Sequence, residues 1–287
     1  MPLVELAGIG ARLAQREATV PALRPGCEKR IQWAAKEDRQ TPYSVVFIHG
    51  FSASSGELSP LPQIIAKALR ANLFFARLEG HGQDGAAFGA ATFDGWMADT
   101  KEAFEIGQAI GERVIVIACS TGCTLTTLAL AAGQKAAGVV FVSPNFGLRS
   151  VLGQFVLDLP FIKHYGHLLA GKERSFPIHN EGHAQYWTTT YPISAVYPMG
   201  EAVRRARKVG YASLKTPAFF ALNEKDQVIS AKRATKVIRA WGGPVTHLRL
   251  NQGPDDDEMG HVMAGDVFSP KQTEPLAEHI LDWVNKI

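Results

Sequence analysis

Residues 114–131 read VIVIACSTGCTLTTLALA. A β-branched apolar run ends just before Ser120, and a run of small residues with helical character begins at once. The first half suits a strand buried on both faces, because β-branched side chains pack well on a pleated surface and unbroken hydrophobicity leaves no solvent face. A buried strand that hands straight over to a helix is a unit of parallel sheet, since a parallel neighbour is reached only by a crossover. The join is confined as well. Ala118 and Gly122 flank Ser120 two residues away on either side, and residues this small are needed where strand and helix backbones pass close together.

The same alternation runs through most of the chain. Residues 44–48 (SVVFI), 72–78 (NLFFARL) and 138–143 (GVVFVS) read as strands. Residues 60–71 read as a helix through Ile64, Ile65, Ala68 and Leu69, and residues 92–111 as another, with Thr92 as cap and Gly111 as stop. The pattern lapses over 146–211, which is rich in His, Tyr and Trp and interrupted by Pro160, Pro177, Pro192 and Pro198. It resumes with a strand over 217–222, a helix near 230–241, a strand over 245–250 and a helix near 273–286. The expected fold is α/β, a mostly parallel central sheet flanked by helices. Its core comprises residues 27–145 and 212–287, preceded by an N-terminal extension over 1–26. The 146–211 stretch reads as a helical or irregular lid inserted over the C-terminal ends of the strands, where such sheets bind ligands.

A chain of 287 residues, 46% of them hydrophobic, can bury a large core in one domain carrying an insertion. The net charge of +3 comes without a long Lys/Arg run, so nucleic acid is not an expected partner. The densest basic stretch, Arg204-Arg205-Ala206-Arg207-Lys208, reads as a solvated helix face. Cys27, Cys119 and Cys123 are an odd number without a framework, which points to reduced, buried thiols rather than a disulfide-stapled secreted fold. No apolar stretch has membrane-spanning length, and residues 1–26 lack the basic and apolar regions of a signal peptide, so a cytoplasmic protein is expected.

Ser120 stands in Ala118-Cys119-Ser120-Thr121-Gly122, one methyl away from the G-x-S-x-G nucleophile elbow, in which a strained turn lifts the serine hydroxyl above the sheet. A serine merely capping a helix is the competing reading. FIHGFSASS (residues 47–55) ends a strand in His-Gly and enters a loop. Acyl transfer needs backbone donors where negative charge develops on the carbonyl oxygen. The Thr121 amide, after the serine, and the Phe51 amide, in this earlier loop, are the candidate pair, with Gly50 allowing close approach. His49 reads as support for that loop. In ALNEKDQVIS a strand runs into an acidic turn where Asp226 can orient a histidine, with Glu224 as competitor. His261, in DDDEMGHVMAGD, lies between the last strand and the last helix and can take a proton from the serine and return it, its ordinary pKa of about 6.5 lying near neutrality. The acidic run at 255–258 lacks the glycine and spacing of a calcium loop and reads as solvated.

With VVFIHGFSASS, ARLEGHGQD, IACSTGCT, NEKDQV and GHVMAGD in this order, the chain from about Ile31 onward resembles the α/β-hydrolase superfamily, and within it the monoacylglycerol lipase-like and carboxylesterase branch. The departure is Ala118 where that pattern has glycine. The resemblance implies Ser120 as nucleophile, His261 as base, Asp226 as orienting acid, the Phe51 and Thr121 amides as oxyanion donors, and a lid over 146–211 that shapes an acyl pocket. A small-molecule ester substrate is expected, the apolar lid favouring a short- to medium-chain acyl ester or monoacylglycerol over a charged substrate, with no cofactor or metal. Thioesterase, amidase and acyltransferase chemistry use the same machinery, and a non-turnover binding protein on the same fold is the rival of a different class.

Other motifs are set aside. GHGQDG (residues 80–85) satisfies G-x-G-x-x-G, but Phe88, Gly89 and Thr92 intervene before the next expected helix, so it reads as a tight loop and not a dinucleotide site. GHLLAGKE (residues 166–173) has Glu173 where a phosphate-binding loop needs Ser or Thr. HNEGH (residues 179–183) spaces two histidines by four, yet Asn-Glu-Gly is a poor helix core, and a polar lid loop is expected rather than a metal site. Trp187, Tyr186 and Tyr191 either line the pocket or pack the lid.

Overall fold

A computed structural model describes residues 5–159 and 171–287. Seven strands form one sheet in the order β1-β3-β2-β4-β5-β8-β9. They are β1 (Arg30–Gln32), β2 (Thr41–Ile48), β3 (Asn72–Phe75), β4 (Gly111–Cys119), β5 (Gly138–Val142), β8 (Ala218–Leu222) and β9 (Val245–Arg249); β6 (Glu173–Ser175) and β7 (Thr190–Pro192) form a separate antiparallel pair. Among the described residues, only the β1–β3 pairing in the main sheet is antiparallel. The inner strands are buried on both sides, as their near-continuous apolar runs require, while the edge strands β1 and β9 are partly exposed. Successive side chains alternate faces. Val46, Ile48, Val114, Val116 and Ala118 therefore meet the helices Phe93–Ile110, Thr121–Ala131 and Ala231–Ala240. Val45, Phe47, Ile115, Ile117 and Cys119 meet the helices Leu61–Leu69 and Pro270–Val284 on the other side.

The expected elements appear with small shifts at their ends. Thr92 caps the helix Phe93–Ile110 by accepting a hydrogen bond from the Gly95 amide at 2.9 Å. The strand expected over 72–78 stops at Phe75, because β1 and β2 both run out of register partners there. Residues 76–84 form a loop instead, and Arg77 turns inward to a bidentate pair with Glu17 at 2.6 and 2.9 Å. That pair ties the N-terminal segment to the core. The helix Ile9–Glu17 also buries Ile9 and Leu13 completely or nearly so, and Glu17 accepts from the Lys29 amide.

The GHGQDG expectation needs correction in one respect. A short helix, Gly85–Ala90, opens on the last glycine of the motif, with the Asp84 side chain accepting from the Ala87 amide at 2.8 Å. The glycines still serve the protein's own packing. Gly80 and Gly82 have φ of 76° and 72°, and a Cβ on either would lie 2.6 Å from Ala87 O or Cys27 Cβ.

Between β5 and β8 the chain is more regular than its prolines suggest. Helices run over Val151–Asp158, Glu181–Tyr186 and Val196–Ala206, beside the β6–β7 hairpin. Leu157, Tyr191, Met199 and Ala202 from this stretch join the core cluster. The HNEGH motif supplies the start of a helix, since Asn180 accepts from the His183 amide at 2.8 Å and acts as its cap. In the basic stretch at 204–208, Arg205 pairs with Glu201 and Arg207 with Asp158. Pro160 and the first five residues of GHLLAGKE (166–170) lie outside the described residues. Among the described residues, no helix is long and apolar enough to cross a membrane.

Candidate active site

Ser120 terminates β4 with φ 49° and ψ −112°, a conformation that a residue bearing a Cβ adopts only under strain of about 1–3 kcal/mol. The surroundings impose it. The Ser120 amide donates to Val142 O on the neighbouring strand at 3.0 Å, and Ser120 O accepts from the Asn145 amide at 3.1 Å. Gly122 makes the turn possible, because a Cβ there would lie 2.3 Å from Ile48 O and 2.7 Å from His49 O. Ala118 causes no conflict: its methyl is fully buried in the core, level with Ile48 and Phe141 in the adjoining strands.

Three side chains separated widely along the chain meet at this turn. His261 Nε2 lies 3.0 Å from Ser120 Oγ, and His261 Nδ1 lies 2.7 Å from Asp226 Oδ2. An ionised carboxylate only accepts, so Nδ1–H donates to Asp226 and Nε2 is left to accept from the serine hydroxyl. The other carboxylate oxygen of Asp226 accepts from the Val228 and Ile229 amides at 2.7 and 2.9 Å, which fixes the acid in place. Burial disfavours the His261 imidazolium, but Asp226, Glu57 and Asp257 outweigh it and hold the His261 pKa above the ordinary histidine value. Glu224 is exposed and paired with Arg249 at 3.3 Å, so Asp226 is the carboxylate that reaches the histidine.

A cavity of about 670 Å³ opens over Ser120. Phe176, Trp187, Tyr191, Met199 and Phe268 supply much of its apolar wall, and Phe51 and Thr121 line it beside the serine. Thr121 is the first residue of its helix, where the amide has no intrahelical acceptor. Among the described residues the Phe51 amide donates to no protein acceptor. His49 holds the Phe51 loop from below. It accepts from the Leu78 amide at 3.1 Å through Nε2, so Nδ1 carries the proton and donates to Gly50 O at 2.9 Å. Burial pushes the His49 pKa down to about 4.

A family model of alpha/beta hydrolases matches residues 45–276, which run from within β2 into the last helix and contain Ser120, Asp226 and His261. The chain belongs to the alpha/beta hydrolase family. No curated protein matches its sequence significantly. Solved structures of similar shape include one reported with the metagenome-derived lipolytic enzymes LipS and LipT, at TM-score 0.70 and 20% identity, covering 92% of this chain and all of the other. A soluble variant of the Saccharomyces cerevisiae monoglyceride lipase is similar at TM-score 0.65 and 12% identity, covering 93% and 95%. The monoacylglycerol lipase of Paleococcus ferrophilus is similar at TM-score 0.62 and 15% identity, covering 90% and 98%. At these identities the likeness is one of alpha/beta hydrolase fold.

Around this alpha/beta hydrolase site lie residues that sequence reasoning missed. Asp257 belongs to the acidic run read as solvated, yet its Oδ2 accepts from the His261 and Val262 amides at 2.8 and 2.7 Å. Asp257 is half-buried and Asp256 buried, so that reading holds only for Asp255 and Glu258. Ser143 donates to His261 O from the end of β5. Glu57 is buried beside Ser120 and accepts from the Gly50 amide at 2.6 Å. A carboxylate close before the histidine was the visible signal for Asp257; nothing in the local pattern marks Glu57. Of the three aromatics left open above, Trp187 and Tyr191 line the cavity, whereas Tyr186 packs over Gly26 and Gly56. His81 packs tilted or edge-on against His49, Phe88 and Trp96 at centroid distances of 4.7, 4.5 and 5.2 Å.

Proposed function

We propose that the chain is a serine hydrolase that cleaves carboxylic esters through an acyl-enzyme. Ser120 attacks the carbonyl; His261 takes its proton and returns it to the leaving alcohol; Asp226 keeps the imidazole in the tautomer that accepts from serine and stabilises the imidazolium. The Phe51 and Thr121 amides receive the oxyanion. The observation that carries this reading is the unbroken relay of 3.0 Å and 2.7 Å from Ser120 through His261 to Asp226 at the floor of an apolar cavity. The cavity's aromatic wall favours an uncharged acyl group, in keeping with short- to medium-chain esters or monoacylglycerols. The neighbours described as lipolytic or monoacylglycerol-cleaving support the same substrate class. In this reading residues 27–145 and 212–287 are the catalytic core, and residues 146–211 form the lid that contributes Phe176, Trp187 and Tyr191 to the acyl pocket.

The test is labelling by a fluorophosphonate probe, followed by hydrolysis of nitrophenyl esters of increasing acyl length, with Ser120→Ala as control. Labelling and turnover that vanish in S120A support the proposal. Labelling without turnover on any ester refutes it in favour of a binding protein on the same fold.

A further inference from the structure

Glu57 is a buried carboxyl beside the triad that takes no part in its hydrogen-bond relay. It is only 3% exposed, and it sits at the start of the helix-leading segment after the Phe51 loop. Its Oε2 accepts from the Gly50 amide at 2.6 Å. Gly50 is squeezed into a layer between the carboxyl and the serine: a Cβ on it would lie 2.6 Å from Glu57 Oε1 and 3.1 Å from Ser120 Cβ. The Gly50 amide is one peptide away from the Phe51 amide, so a restraint on the first sets where the second points. His49 grips the same peptide segment from the opposite end, through Gly50 O. The loop is thus held at both the N–H and the C=O of Gly50, which is how a donor is kept within the few tenths of an ångström that oxyanion stabilisation demands.

We infer that Glu57 is a positioning residue for acyl transfer, its carboxyl clamping the Gly50 amide so that the adjoining Phe51 amide stays aimed at the oxyanion site above Ser120. This rests on the reading of Ser120 as nucleophile. Keeping a carboxyl here is costly, because burial raises the Glu57 pKa to about 7. The groups that face it are His261, Cys119 and Cys123. Both protonation states retain an oxygen able to accept from Gly50, so the clamp survives titration. A residue needed only to fill space would be satisfied by an apolar side chain of similar volume, and the acceptor is what distinguishes the two cases.

The experiment compares E57Q, E57D and E57A on nitrophenyl butyrate, with thermal melts and the second-order rate of fluorophosphonate labelling, and S120A alongside. Gln keeps the acceptor and the length, and its kcat is expected within about fivefold of wild type. Ala removes the acceptor, and kcat is expected to fall on the order of 100-fold with KM within about threefold and a parallel fall in labelling rate, as for loss of an oxyanion donor. Asp withdraws the acceptor by one methylene and is expected to lose about tenfold in kcat. Should E57A fail to melt cooperatively, the Gln–Asp pair decides alone. Folded variants that all keep wild-type kcat, losses confined to KM, or a Gln variant no better than Asp or Ala would each overturn the clamp. A wild type that neither labels nor turns over sinks the hydrolase reading and this inference with it, whereas an active wild type with an indifferent E57D and E57A sinks this inference alone.

Discussion

Ser120 Oγ, His261 and Asp226 form a relay whose two links each join one atom pair, Oγ to Nε2 and Nδ1 to Oδ2, so the effect of removing each can be ordered. S120A is expected to abolish nitrophenyl-ester turnover and probe labelling together. D226N keeps the shape but presents an amide to His261 Nδ1, which favours the wrong tautomer. A loss of about 10³–10⁴-fold in kcat is expected, measured by steady-state kinetics on the same ester. In the proposed mechanism His261 acts as base only when neutral, and Asp226 with its acidic neighbours raises its pKa. The acid limb of kcat/KM is therefore expected at a pH above the ordinary histidine value, and in D226N whatever activity survives should have that limb displaced to lower pH, because burial then acts with less opposition. At this scale the sequence was informative where a residue type has few other uses at a strand end, as with Ser120, Asp226 and His261. It was silent on Glu57 and misleading on Asp257, because a carboxylate's partners there are backbone amides that leave no pattern in composition or spacing.

The strand–turn–helix unit around Ser120 depends on two small residues that do different work. Gly122 has no room for a methyl against Ile48 O and His49 O, both backbone atoms that cannot swing aside. G122A is expected to destabilise the fold by about 2–4 kcal/mol, seen as a fall in Tm of roughly 5–12 °C, and to lower kcat as the turn shifts. Ala118 is different, its methyl being buried in the sheet core and clear of the turn. A118G, which restores the usual pattern, is expected to leave kcat within about threefold and to cost about 1 kcal/mol through strand entropy and lost packing. The strands and long helices were legible because their apolar periodicity is local. The early end of β3 and the immediate start of Gly85–Ala90 were not, because the first depends on where neighbouring strands stop and the second on a single Asp84 cap.

Across the whole molecule, buried titratable groups link stability to pH. The pKa of His49 is lowered to about 4, so the unfolded chain binds a proton more readily than the folded one between about 4 and 6.5. The stability that neutral His49 represents, on the order of 3 kcal/mol, is fully present above about pH 6.5 and is lost as pH falls through that window. His81 shifts in the same direction. Glu57, raised to about 7, has the opposite sign: its folded form binds the extra proton, so its contribution is greatest at low pH and declines as pH rises through 7. His183 is lowered to about 4 as well, while the raised His261 acts in the same sense as Glu57. With His49, His81 and His183 set against these two, wild-type Tm is expected to fall on acidification from pH 7 to 4.5, and to fall more steeply in E57Q, where one of the opposing groups is gone; calorimetric melts across that range check both. What the sequence by itself determined was the alternation of buried strands and helices, and hence a parallel sheet with a serine lifted at one strand's end, because periodicity, turn chemistry and small-residue spacing act over a few neighbours. Only the tertiary structure decided which carboxylate meets His261, how the Gly50 peptide is held from both sides, and which aromatics of residues 146–211 wall the cavity, because those partners lie far apart along the chain and are brought together by packing.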